Sequence, residues 1–151
     1  QYHTKMINSG RYVNDSMGRY IGKKVVKKII SQGKNILGAH VLVMGMTFKE
    51  NVSDIRNSKV ADIINEFKDF GAEVDVMDPF ASPLEVLQEY GIRLVERPGK
   101  KYDAVVVAVA HTTYLKLDES YFMSITNEHA VLADVKGVYR GSIHQMIYWS
   151  L

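Results

Sequence analysis

Between residues 11 and 33 apolar side chains recur at every fourth position: Val13, Met17, Ile21, Val25 and Ile29, with Tyr20 and Ile30 widening the stripe. That period marks one face of an α-helix. Lys23, Lys24, Lys27 and Lys28 fill much of the rest, Asn14, Asp15 and Ser16 are cap residues near its start, and Gly33 ends it. After Gly38 the rhythm changes to short apolar runs separated by longer helical patterns. The runs are 39–45, 73–78, 92–95, 103–109 and 130–135, the third being the weakest. The first and fourth are nearly continuous in Val, Leu and Ala, as for strands buried on both faces of a parallel sheet.

Helical patterns lie between the runs. Val60, Ile63, Ile64, Phe67 and Phe70 keep the 3.6 period, with Gly71 as the residue after the cap. Leu84, Val86, Leu87 and Tyr90 predict a second helix, with Ser82 as N-cap, Pro83 at N1 and Gly91 after it. Residues 115–124 predict a third, less regular one. The spacing of Ile143, Met146, Ile147 and Trp149 predicts a final helix. Strand–helix alternation at this spacing implies an α/β class with right-handed crossovers and an open doubly wound sheet. We expect the runs to lie in the order 3-2-1-4-5, with ligands at the carboxyl ends of the first and fourth.

Composition narrows the function. The 151 residues fit one domain, or one domain with a short appended element. Apolar residues at 46% and charged residues at 24% exclude a disordered scaffold. No eighteen apolar residues run together, and the start lacks the apolar core of a signal peptide. There is no cysteine, which removes disulfides, thiolate metal sites and a cysteine nucleophile from this chain and is compatible with a cytoplasmic location. A net charge of +2, with both signs interleaved, does not point to nucleic acid, and the lysine-rich helix face reads as solvated. The five histidines lack ligand spacing, so no metal site is expected. Gln1 and its neighbours read like the middle of a longer protein, so a fragment is expected.

The chemistry concentrates in Gly45–Lys59, after the first run. A dinucleotide-binding turn would read G-x-G-x-x-G, and that motif is absent. In its place stands a long polar loop opening a helix near Asn57. A helix N-terminus with free amides suits phosphate. Lys49 and Arg56 add full charges, and arginine can hold two phosphate oxygens at once. Phe48 offers an apolar or stacking face. Asp54 or Ser58 caps the helix, or Asp54 orients Arg56. The plainer alternative is a surface loop whose charges pair with one another. Residues alone thus reach a phosphate-containing ligand on an α/β domain.

Gly45-Met46-Thr47-Phe48-Lys49-Glu50-Asn51 and Asp54-Ile55-Arg56-Asn57-Ser58-Lys59 resemble the C-terminal domain of the UDP-glucose/GDP-mannose dehydrogenase family. The likeness continues in Asp78-Pro79, in Ala108-Val109-Ala110-His111 and in Asp134-Val135-Lys136-Gly137, in order over residues 7 to 140. Gly10-Arg11, Asn14-Asp15 and Met17-Gly18 further resemble the branch acting on UDP-N-acetylhexosamines.

The resemblance implies a three-layer Rossmann-like domain at 34–151, with a mostly parallel sheet of about five strands. It is preceded by a long helix at 1–33, the end of a central dimerisation region. It implies a parent homodimer that oxidises C6 of a UDP-sugar twice with NAD, the cysteine, the lysine and aspartate that assist it, and the NAD domain all lying upstream, so that this chain alone is expected inactive. By the same resemblance Phe48, Lys49 and Lys136 contact the UDP-sugar, Arg11 and His3 reach the partner subunit's substrate, and Arg56 reaches NAD. His111 faces the same cleft, as a ligand or as a loop histidine bonded to a carbonyl. The competing expectations are a free-standing, non-catalytic nucleotide-binding module and an oligomerisation fragment.

Overall fold

The alternating side chains of the apolar runs decide the layers. In a computed structural model, which describes residues 2–151 and side chains from Ser16 onward, β1 (His40–Met44) and β3 (Tyr102–Val107) lie side by side at the sheet centre. Val41, Val43, Ala104 and Val106 point to one face, and Leu42, Met44, Val105 and Val107 to the other, all almost fully buried. β2 (Glu73–Met77) flanks β1, and β4 (Thr126–Asp134) flanks β3. All strands are parallel, in the order β2-β1-β3-β4-β5, where β5 is Ile147–Ser150.

On the first face lie α1 (Tyr2–Ser31), α2 (Val60–Asp69) and α3 (Pro83–Tyr90). α1 buries Ile21, Val25, Val26 and Ile29, so the later part of its apolar stripe is covered by this same chain, whereas Met17 is exposed and the side chain of Val13 lies outside the described residues. Tyr20 and Ile30 are exposed instead of widening the stripe; Val26 does that. α1 and α2 approach closely because Gly18 and Gly22 lack side chains. A Cβ on Gly18 would sit 2.6 Å from Asp62 Cβ, and one on Gly22 would sit 2.7 Å from Glu66 Cβ. Arg19 fastens the same junction to Glu66 at 2.8 Å. On the second face a 3₁₀ turn (Thr112–Lys116), α4 (Glu119–Ser124) and the chain around Tyr139 cover Leu42, Val105 and Leu132.

The α/β class, three layers and parallel sheet agree with expectation, as do the Ser82 cap, Pro83 and the Gly91 terminus of α3. Four details differ. The run 92–95 keeps its place beside β2 but pairs only as a bridge between Leu94 and Val76, since charged Arg93, Glu96 and Arg97 leave little to bury. The predicted helix at 115–124 is interrupted: Leu117 is extended, and Asp118 caps a new helix by accepting from the Tyr121 N–H. α2 opens at Val60 and not near Asn57, whose φ of +58° is incompatible with an α-helix. The predicted final helix is β5. Ile147 and Trp149 pack toward the first face and Tyr148 toward the second, a period of two.

Candidate functional site

Three loops leave the carboxyl edge of the sheet at β1, β2 and β3. Gly45 starts the first with φ +101°, and a Cβ there would lie 2.6 Å from Val109 Cβ, so only glycine permits this exit. The N–H groups of Met46 and Thr47 both donate to Asp78 Oδ2, at 2.6 and 3.1 Å. Asp78 follows β2, and its Oδ1 accepts from Phe80 and Ala81 N–H at 2.7 and 3.1 Å. Burial pushes this carboxyl up, but the Met46 N–H, His111 and the Phe80 N–H outweigh it and hold it below the usual carboxylate range.

His111 follows β3 and is fully buried. Its Nδ1 accepts from the Asn51 N–H at 3.0 Å, and its Nε2 lies 2.9 Å from Asp78 Oδ2. A backbone N–H can only donate, so the partners assign the ring proton to Nε2, donated to Asp78. Asn51, at φ +61°, also pairs with Thr112: its Nδ2 donates to Oγ1 at 2.7 Å and its Oδ1 accepts from the N–H at 2.9 Å. Thr47 Oγ1 donates to the Lys49 carbonyl at 2.9 Å, and the Phe48 N–H donates to the Asp54 carbonyl at 2.7 Å.

The amides of Met46, Thr47, Phe48 and Asn51 are therefore spent within the protein, against the expectation of a bare-amide anion cradle. What the loop presents outward is side chain. Phe48, 56% exposed, and Lys49 line a cavity of about 250 Å³ together with Lys136. α1 contributes Met17, Gly18 and Ile21 to it, and Lys59 lines it too. The turn that carries Lys136 is braced by a second buried carboxylate. Asp134, at the end of β4, accepts from the N–H groups of Val138 and Tyr139 at 3.0 and 2.7 Å and from the Tyr148 hydroxyl at 2.6 Å. Residues 48 and 136, far apart in the chain, thus line one cavity from the ends of β1 and β4, the two strands that flank β3.

Arg56 stands apart. Its Nε and Nη2 donate to the two Asp54 carboxylate oxygens, each at 3.1 Å, beside a separate cavity of about 490 Å³ that includes Glu85 and Glu89. The pairing holds Asp54 below and Arg56 above its ordinary range, each mainly through their mutual hydrogen bond. Asp54 orients Arg56, whereas Ser58 Oγ accepts from the Val60 N–H that opens α2. A third cavity, about 450 Å³ on the second face, is mostly apolar and includes neither lysine nor arginine. His111 does not open into the Lys49 cavity. The side chains of Arg11 and His3 lie outside the described residues.

Among the described residues no cluster of three or more His, Asp or Glu is arranged to hold a metal. The turn after β1 does not fit the pyrophosphate of NAD either. It lacks the glycine fingerprint, and its first three amides are already bonded. Sequence reasoning missed Asp78, Asn51 and Asp134 as organisers. The signal for Asp78 was an Asp closing the run 73–78, and that for Asp134 an Asp one residue before the end of the run 130–135; Asn51 carried none.

Residues 42–141 match the family model described as the UDP-glucose/GDP-mannose dehydrogenase family, UDP binding domain. A UDP-N-acetyl-D-glucosamine 6-dehydrogenase of Pseudomonas aeruginosa is 39% identical over 136 residues, covering 89% of this chain and 32% of that protein. Protein CapL of Staphylococcus aureus is 37% identical, covering 91% and 32%. Among solved structures, a UDP-N-acetyl-mannosamine dehydrogenase, Cap5O from S. aureus, superimposes with a TM-score of 0.77 at 25% identity, over 99% of this chain and 33% of that one. The chain thus spans about a third of the length of these relatives.

Proposed function

The chain belongs to the UDP-glucose/GDP-mannose dehydrogenase family, and from that premise we propose that it is the UDP-sugar-binding domain of an NAD-dependent nucleotide-sugar 6-dehydrogenase of the UDP-N-acetylhexosamine branch. The observation that carries this reading is the convergence of Phe48, Lys49 and Lys136 on one cavity at the carboxyl edge of the sheet. Lys49, Lys136 and Lys59, against the single carboxylate of Glu50, leave the space net positive toward a diphosphate, and Phe48 supplies an apolar face. Contacts to the nucleotide, remote from C6, hold the sugar in register for oxidation elsewhere in the parent protein.

In the parent, NAD supplies the oxidising chemistry at C6, and both it and the nucleophilic cysteine belong to other parts of the protein. The bonded amides after β1 support that division. Arg56, exposed and oriented by Asp54, is the residue of this chain that reaches toward the cofactor. Residues 1–33 are the end of a central helical region that joins two subunits, and 34–151 form the nucleotide domain. Such a parent is a cytoplasmic homodimer, and this chain alone has no turnover.

The test is calorimetric titration of the chain with UDP and with UDP-N-acetylglucosamine. A charge-assisted contact at a partly exposed site is worth about 1–2 kcal/mol, so Lys49→Ala and Lys136→Ala should each weaken binding about five- to thirtyfold. Absence of binding by the unmodified chain at millimolar ligand would refute the reading.

A further inference from the structure

His111 sits at the meeting point of the three loops, yet the proposed ligand contacts leave it unused. It is fully buried, so it cannot touch a ligand in the Lys49 cavity. Nor is it mere core filling. Its ring is stacked obliquely between Phe80 (centroids 4.7 Å apart) and Tyr114 (5.4 Å), and both nitrogens have polar partners. Nδ1 takes the Asn51 N–H, and the Nε2 proton goes to Asp78 Oδ2, with Thr47 Oγ1 at 3.4 Å. Thr47 in turn spends its hydroxyl proton on the Lys49 carbonyl. The titratable groups facing the ring are Asp78, from the loop after β2, and Tyr114, from the 3₁₀ turn.

We propose that His111 is a positioning residue: through the Nε2–H tautomer it fastens both ends of the Met46–Asn51 loop, and so sets Phe48 and Lys49 before any ligand arrives. One end is reached through Asp78, which holds Met46 and Thr47; the other is held directly at Asn51. Asn51 needs the hold because its left-handed backbone is a minor conformation in a free chain. A loop held in place binds more tightly than one that must be ordered by its ligand. The inference rests on the reading that Phe48 and Lys49 grip the UDP-sugar.

Two substitutions separate the two nitrogens. His111→Asn offers an acceptor where Nδ1 was; His111→Gln offers a donor where Nε2 was and loses the acceptor. In the chain without ligand, we expect ¹⁵N NMR of the unmodified protein to show an unprotonated Nδ1. The Asn51 amide should exchange slowly in the unmodified chain and in His111→Asn, and at least tenfold faster in His111→Gln, while Met46 and Thr47 stay protected. UDP-N-acetylglucosamine affinity should fall about three- to tenfold in His111→Gln and be partly restored in His111→Asn, which keeps the hold on Asn51 but lacks the donor to Asp78. The tautomer is read without any variant, so a misfolded His111→Gln does not spare the proposal. A protonated Nδ1 would overturn it, and so would unchanged affinity in a folded His111→Gln. No binding by the unmodified chain would instead strike the functional reading itself.

Discussion

Replacing Asp78 by asparagine tests whether the loop edge is built on one carboxylate. The side chain is buried and accepts five hydrogen bonds, four from backbone amides and one from His111. Asparagine has the same shape but turns one acceptor oxygen into a donor. Its best orientation keeps the oxygen toward Met46, Thr47 and His111 and points the NH₂ group at the Phe80 and Ala81 amides. One buried N–H group, of Ala81, and one part-buried, of Phe80, then lose their partner and the new NH₂ gains none. At about 1–3 kcal/mol for each stranded group, less some relaxation, the cost is about 3 kcal/mol. For a chain of this size that is about 6–12 °C in Tm. Urea unfolding followed by circular dichroism measures it. Asp54→Asn, on an exposed pair, is the control and should shift stability by less than about 0.5 kcal/mol. A loss below about 1 kcal/mol for Asp78→Asn would refute the reasoning. The pH dependence has a fixed sign. Because the folded Asp78 lies below its ordinary value, its contribution is complete above about pH 4 and is lost only as acid protonates the folded protein. In Asp78→Asn that acid-labile component should be missing from the stability profile.

Three other outcomes follow from the same geometry. Gly22→Val should separate α1 from α2, since the Glu66 side chain already stands where a Cβ would go; a Tm loss of several degrees should accompany it. Arg56→Ala should leave UDP affinity within about twofold, because Arg56 lies outside the Lys49 cavity, and calorimetry checks this directly. Glu119 accepts the N–H groups of His144, Gln145 and Met146, at 2.9, 2.7 and 3.1 Å. Glu119→Ala should therefore speed amide exchange at those three positions while the rest of the sheet keeps its protection.

The layers were legible in the sequence because burial on both faces of β1 and β3 writes itself as unbroken apolar runs. The α3 boundaries were legible because Ser82, Pro83 and Gly91 act locally. What escaped reading is nonlocal. Asp78 and His111 act on Met46, Thr47 and Asn51, residues over 30 positions away, and only the strand order makes them neighbours. β5 escaped because Ile143 and Met146 belong to the loop and blur a four-residue alternation into a helical spacing. Phe48, Lys49 and Lys136 were named from their motifs and do share a cavity, whereas Arg56 from the same motif faces another. Proximity along the chain was a poor guide to which cation serves which space.

The central claim is that the nucleotide lies between the loop after β1 and the turn after β4. The most direct measurement is a ¹H–¹⁵N NMR titration of the chain with UDP-N-acetylglucosamine. The account predicts saturable shifts concentrated at residues 47–50 and 135–137, with little change at Arg56 and its neighbours. Shifts centred on Arg56 and Glu89, with residues 47–50 unmoved, would contradict it.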